Sequence, residues 1–259
     1  KGTGSPILLI HDTLPGASGY EWSKIEDELA IDHTVYTVDL LGCGRSDKSS
    51  ITYTNFVYVQ MISDFIKKII GQKTDVIASG FSGSFVTMAC HNEKELFNKI
   101  MLVNPPSLTQ LKQMPNRKDR LLKAALEIPI FGTLVYHMIV SRDNINNLFI
   151  EKMYFNPFHV DNQMADAYYE AAHKGGYYTR FLYSSLAAKY ININICHALK
   201  ALDNSIYIVE GETEPNGKAV TDDYCASNPA IEVSVLKETK HLPHVEAPEA
   251  FLEQVKIFF

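Results

Sequence analysis

The chain has no apolar run long enough for a bilayer. Its longest, "IPIFGTLVYHMIV" (128–140), is well short of the roughly 20 residues a spanning helix needs, and it carries Gly132 and His137, so no membrane span is expected. Cysteine is sparse too. Cys43, Cys90, Cys196 and Cys225 lie far apart with no CxxC pair, which argues against a zinc site or a dense disulfide framework and for a reducing, cytoplasmic setting. Basic residues are outnumbered, 24 Lys and Arg against 30 Asp and Glu, and a formal charge of −6 argues against nucleic acid as a partner. HExxH, Walker A and a convincing GxGxxG are missing, so neither metal nor organic cofactor is expected. The chain opens at Lys1-Gly2 without a methionine, from which an upstream segment is expected, and nothing speaks to oligomeric state.

What is present is a rhythm of short apolar runs bounded by turn residues. "PILLIH" (6–11), "TVYTVDL" (34–40), "DVIAS" (75–79), "KIMLVN" (99–104), "SIYIVE" (205–210) and "IEVSVLK" (231–237) read as buried strands. Helical patterns alternate with them, clearest where Val57, Met61, Phe65 and Ile69 mark one apolar face. Strands alternating with helices predict an α/β fold: a mostly parallel sheet flanked by helices. From Pro105 to about Leu199 no strand is evident and helix-like segments follow one another, so residues 107–197 read as an inserted helical cap on a core of 1–106 and 198–259. The cap falls at the carboxyl edge of the sheet, where open α/β folds bind ligands.

After the third strand, "ASGFSGSF" (78–85) offers Ser79, Ser82 and Ser84 as nucleophiles. A tight strand-to-helix turn demands very small residues two positions either side of its serine. Ser79 is flanked at that distance by Ile77 and Phe81, and Ser84 by Ser82 and Val86. Ser82, between Gly80 and Ser84, alone of the three satisfies the rule.

Further along, "HLPHVEAPEAF" (241–251) follows the last strand, "IYIVEGETEP" (206–215) ends a strand in an acidic turn, and "LLIHDTLPGASGYEW" (8–22) and "DLLGCGRSD" (39–47) follow the first two. With G-x-S-x-(small) and the order Ser, acid, His, these segments resemble the α/β-hydrolase superfamily. The resemblance implies Ser82 as nucleophile and His241 as its base, with His244 in a supporting or structural role. It implies Glu214 as the acid, with Glu212 and Glu210 as alternatives, and the backbone amides of Thr13 and Gly83 as oxyanion hole. His11 is read as a loop brace. Departures from the family pattern are Asp12 for Gly, Ser84 for Gly, Glu214 for Asp and Lys240 for Gly; an Asp12 carboxylate aimed at the hole would oppose catalysis, so it is expected to point away or be paired.

The activity so implied is hydrolysis of a small or medium hydrophobic carboxylic ester through an acyl-enzyme, with amidase, thioesterase, acyltransferase and carbon–carbon hydrolase chemistry on the same triad as alternatives. Asp12 motivates a different reading, a non-catalytic ligand-binding protein. Relatives in fold that open epoxides or cleave carbon–halogen bonds carry aspartate at the elbow, and a serine there argues against both. Cap aromatics such as Tyr136, Tyr154, Phe155 and Phe181 are candidates to line the substrate site, although most are needed to hold the cap together. The 128–140 run is read first as lining the substrate mouth and second as touching a lipid surface.

Overall fold

The computed structural model describes residues 1–259. All six apolar runs become strands of a single parallel sheet: β1 (Ser5–Ile10), β2 (His33–Val38), β3 (Thr74–Ser79), β4 (Phe97–Val103), β5 (Ile206–Gly211) and β6 (Glu232–Leu236), in the order β2-β1-β3-β4-β5-β6. Side chains alternate between faces with the two-residue period of a strand. Leu8, Ile10, Val76, Ala78, Ile100, Leu102, Ile206 and Ile208 enter one core cluster. Ile7, Leu9, Ile77, Met101, Val103 and Val209 enter the other. Burial on both faces explains why the central strands read as continuous apolar runs instead of alternating ones.

Helices supply that burial. α1 (Glu26–Asp32) lies on the second face, and α2 (Asn55–Phe65) and α3 (Ser82–Asn92) on the first. On α2 and the helical turn that continues it to Ile70, the core stripe is Tyr58, Ile62, Ile66 and Ile70, one residue on from the expected Val57, Met61, Phe65 and Ile69. Both stripes repeat every four residues. Tyr58 can go inward because its hydroxyl donates to the Leu41 carbonyl, whereas Ile69 is left in solvent.

Between β4 and β5 the chain is helical: α4 (Leu108–Leu111), α5 (Arg117–Glu127), α6 (Pro129–Ile139), α7 (Arg142–Leu148), α8 (Asn162–His173) and α9 (Arg180–Ala187), followed by α10 (Cys196–Ala201). Tyr136, Val140, Ile145, Phe149, Met153 and Tyr168 form a separate cluster that closes on Leu242 and Val245, in the segment after β6. Packing does not change at 107 or 197. Leu108 and Leu111 at one end, and Leu182, Ile191 and Ile195 at the other, belong to the main core. α11 (Gly217–Ser227), α12 (Pro243–Glu246) and α13 (Pro248–Phe258) complete the chain, α13 covering the second face with Phe251 and Val255.

The chain steps outward from β1 to β2 and returns to β3 on the other side of β1, so the strand order reverses there. The loops leaving β1, β3, β4, β5 and β6 therefore gather at one edge, the position where such sheets hold ligands. Phe85 anchors α3 beneath that edge, fully buried and stacked on Tyr58 with ring centroids 4.9 Å apart. Phe85→Ala should lower unfolding free energy by about 3–5 kcal/mol, read as an earlier urea midpoint at unchanged m-value.

Candidate active site

After a shift between Thr74 and Val76, β3 holds its register on β4 to the end: Ser79 pairs with Val103, and Gly80 N donates to the Val103 carbonyl. The chain then turns at Gly80, whose φ of +53° is a backbone state glycine adopts without steric cost. Phe81 is already helical at φ −58° and ψ −30°, and the Gly83 and Ser84 amides donate to the Gly80 and Phe81 carbonyls as α3 begins. The apex of the elbow is therefore Gly80, not Ser82. Ser82 is fully buried in the first turn of α3, and its Oγ donates to the His11 carbonyl with no hydrogen bond to His241. The assignment of Ser82 as nucleophile is corrected on this geometry. The small-neighbour rule was sound, but Gly80 also satisfies it, with Ala78 and Ser82 two positions away. Gly83 is corrected likewise as an oxyanion donor, because its N–H is committed to the helix, and Phe81 N, the first amide past the apex, takes that place.

The space above Gly80 is filled from the neighbouring loop. A Cβ built on Gly80 would lie 2.2 Å from Asp12 Cγ and 2.4 Å from Oδ1. Asp12 Oδ1 accepts from Thr13 N at 2.6 Å and Phe81 N at 2.8 Å, while Oδ2 is 3.5 Å from His241 Nε2. Thr13 N thus does face the expected hole, and the hole already holds a carboxylate oxygen. Asp12 was expected to point away or be paired; it points in and is paired. The loop around it is braced by His11, whose Nε2 accepts from Leu40 N at 3.0 Å and whose Nδ1 lies 2.6 Å from the Asp12 carbonyl.

On its other side, His241 Nδ1 lies 3.2 Å from Glu214 Oε1. Glu212 is turned away and accepts from Glu238 N, and Glu210 lies deeper, so the geometry pairs His241 with Glu214. Burial by itself would lower the His241 pKa, but the Asp12 and Glu214 carboxylates on either side outweigh it and hold the imidazole up at about 10. His241 is consequently a cation at neutral pH.

Several residues that the sequence did not mark fix this loop. Asn104, in the left-handed region at φ 43° just past β4, donates through Nδ2 to the Lys240 and His241 carbonyls at 2.8 and 2.9 Å and accepts from Gly211 N. The Glu246 carboxylate accepts from Lys240 N and from Phe155 N of the cap, and His241 N donates to the Met153 carbonyl. An isolated polar residue at the end of an apolar strand, as in "LVNPP", is the one signal that could have flagged Asn104. His244 is away from the chemistry: it is fully buried, stacked on Trp22 at 4.3 Å, with Nε2 3.2 Å from Glu21 Oε1.

A cavity of 540 Å³ opens over Asp12, Gly80, Phe81 and His241. Its cap side is Leu148, Glu151, Lys152 and Met153, and Glu210 and Thr221 are also among its lining residues. The aromatic candidates do not line it. Tyr136 and Tyr154 are buried in the cap cluster, Phe155 borders a different recess, and Phe181 packs against the main core. Glu210 is 5% exposed, its Oε2 has no hydrogen-bond partner, and burial raises its pKa above the ordinary carboxylate value.

Residues 7–254 match the alpha/beta hydrolase family. The chain belongs to that family. Among curated relatives, this chain is 29% identical over 109 residues to the 2-hydroxy-6-oxo-6-(2'-aminophenyl)hexa-2,4-dienoic acid hydrolase of Metapseudomonas resinovorans, covering 41% of this chain and 38% of that one. The chain spans about a third of the length of the curated relatives it matches. Among solved structures, the epoxide hydrolase CorEH superposes with a TM-score of 0.80 at 16% identity, covering 100% of this chain and 92% of that one. A serine hydrolase involved in carbazole degradation superposes at 0.79 and 18% identity, covering 99% and 91%. At these identities the superpositions speak to fold alone.

The chain thus carries glycine where a nucleophile's side chain would stand and a carboxylate where the neighbouring loop usually has glycine. Undoing both should create a serine nucleophile. Asp12→Gly with Gly80→Ser is expected to label with a fluorophosphonate probe, whereas the parent and Gly80→Ser alone stay unlabelled, because any side chain at position 80 overlaps Asp12. The His241 pKa gives a second check. Its folded value lies above the roughly 6.5 of an unperturbed histidine, so its contribution to stability is complete below pH ~6.5 and is lost as pH rises through about 10. Asp12→Asn should flatten that decline and lower the His241 midpoint seen by NMR.

Proposed function

We propose that the protein hydrolyses epoxides, with Asp12 as covalent nucleophile. The observation that carries this reading is the placement of the Asp12 carboxylate at the lining of the cavity, one oxygen on the Thr13 and Phe81 amides and the other 3.5 Å from His241 Nε2.

A carboxylic ester, the substrate class expected from the serine motif, needs an empty amide pair for its own oxyanion, and here Asp12 Oδ1 fills that pair. Attack on a saturated carbon has no such need. Asp12 Oδ2 forms a bond to one ring carbon, the ring C–O bond breaks, and its electron pair leaves on the oxygen. The leaving oxygen departs on the side opposite the attacking carboxylate, away from His241. It takes a proton from Glu210, whose burial favours the protonated form. The product is an alkyl ester of Asp12.

Alkylation removes one of the two negative charges flanking His241, so its pKa falls and it releases its proton to solvent. The neutral imidazole, held by Glu214, then takes a proton from water as the water attacks Asp12 Cγ. The tetrahedral oxyanion forms on Oδ1, already seated on the Thr13 and Phe81 amides. Collapse breaks the acyl–oxygen bond, His241 returns a proton to the diol, and Glu210 is reprotonated from solvent. Similarity in fold to an epoxide hydrolase is consistent with this chemistry and does not carry it.

A second reading, a non-catalytic ligand-binding protein, is favoured by the filled amide pair and the cationic His241. Single turnover of a styrene-oxide-type substrate in H₂¹⁸O separates the two. We expect one labelled oxygen in the Asp12-containing peptide and none in the first diol, with turnover lost in Asp12→Asn and kept in Ser82→Ala. Label in the first diol with an unlabelled Asp12 would mean direct attack by water. Binding without turnover across a panel of epoxides would favour the ligand-binding reading.

A further inference from the structure

The 128–140 run does not line the substrate mouth; no residue of α6 borders the cavity. α6 turns Gly132 and Tyr136 inward and leaves Ile130 78%, Leu134 66% and Met138 64% exposed, with Phe131 beside them. α5 buries only Leu126 and exposes Leu121 at 72%. The two helices meet at a 95° bend at Ile128, itself exposed, and both pack on α9, so their outer sides face away from it together. No single helix is long and apolar enough to cross a membrane. Isolated exposed apolar residues are ordinary, but a concentration of this kind marks a surface that something covers.

Charge identifies what covers it. Residues 107–139 hold five Lys and Arg against two carboxylates, in a chain whose formal charge is −6. Asp119 is ion-paired with Lys189, and Glu127 with Lys123. Arg117, Lys118 and Arg120 are left exposed with no acidic partner. They occupy the first turn of α5, where cations oppose the helix dipole, so local helix stability does not account for them. A symmetric dimer built on this face would bring the cations of both copies into one interface, where neither α5 nor α6 offers an unpaired carboxylate to neutralise them. Exposed apolar side chains on one helix, joined through a bend to a helix that opens with unpaired cations, are instead the pattern of helices that lie in a membrane interface.

We infer that the outer face of α5 and α6 is a membrane-docking surface that seats on anionic phospholipid, with Ile130, Phe131, Leu134 and Met138 entering the headgroup boundary and Arg117, Lys118 and Arg120 meeting lipid phosphates. The docked hydrolase carries its cap against the bilayer without spanning it.

Co-sedimentation of the full chain with phosphatidylcholine vesicles, with and without phosphatidylglycerol, tests this. The parent should sediment with the anionic vesicles and be partly released by salt. Arg117→Gln/Lys118→Gln/Arg120→Gln should weaken partitioning by about a hundredfold at low ionic strength. Ile130→Ser/Leu134→Ser should also release the protein, and since these side chains are exposed, both variants should melt at the parent's temperature. A parent that stays in the supernatant, or variants that sediment like it, would overturn the proposal. So would a dimer in sedimentation velocity that Ile130→Ser/Leu134→Ser dissociates, because the face would then belong to a second copy.

Discussion

The contact on which the site depends is the pair of short hydrogen bonds from Thr13 N and Phe81 N to one oxygen of Asp12. Two backbone amides at a strand-to-helix turn present concentrated positive potential, and in this protein a side chain of the adjacent loop neutralises it. Gly80 is required by that arrangement twice, once for its positive φ and once because any Cβ would overlap the carboxylate. Glycine at the apex and aspartate on the loop are therefore one structural decision. The same carboxylate, with Glu214, sets the charge of His241.

The sheet makes this economical. Its strand order brings the ends of β1 and β3 side by side, so a residue two positions past Ile10 reaches the apex of the next loop. Asn104 and Glu246 then hold the His241 loop to the end of β4 and to the cap through backbone hydrogen bonds, which positions the imidazole without touching it. Beneath them, the buried Glu21 and His244, packed against Trp22 and reached by Tyr168 of the cap, tie the same loops together from the other side. The cap is thus fastened directly to the elements that carry the chemistry.

The strands were legible because burial on both faces imposes long apolar runs, and His241 and Glu214 were legible because each follows a strand in a loop of distinctive residues. The register of the elbow was not. Ser82 passed a test of side-chain size that Gly80 passes equally, and only the pairing of Ser79 with Val103 and the early start of α3 decide between them. The α2 stripe failed similarly, by one residue, because two adjacent four-residue repeats are equivalent until the sheet selects one. Of the cap aromatics, Tyr136 and Tyr154 pack within the cap, Phe181 packs on the main core and Phe155 is exposed, and sequence alone could not say that α6 faces outward.

By itself the sequence determined the parallel α/β architecture, the family, the helical insertion and the loops that meet at the carboxyl edge, since these follow from hydrophobic period and local turn chemistry. The tertiary structure decided which atoms meet there. Asp12 and Gly80 are 68 positions apart, and neither residue signals the other. Their complementarity exists only once β1 and β3 are paired, when a carboxylate and the space left by a missing side chain come to occupy the same few ångströms.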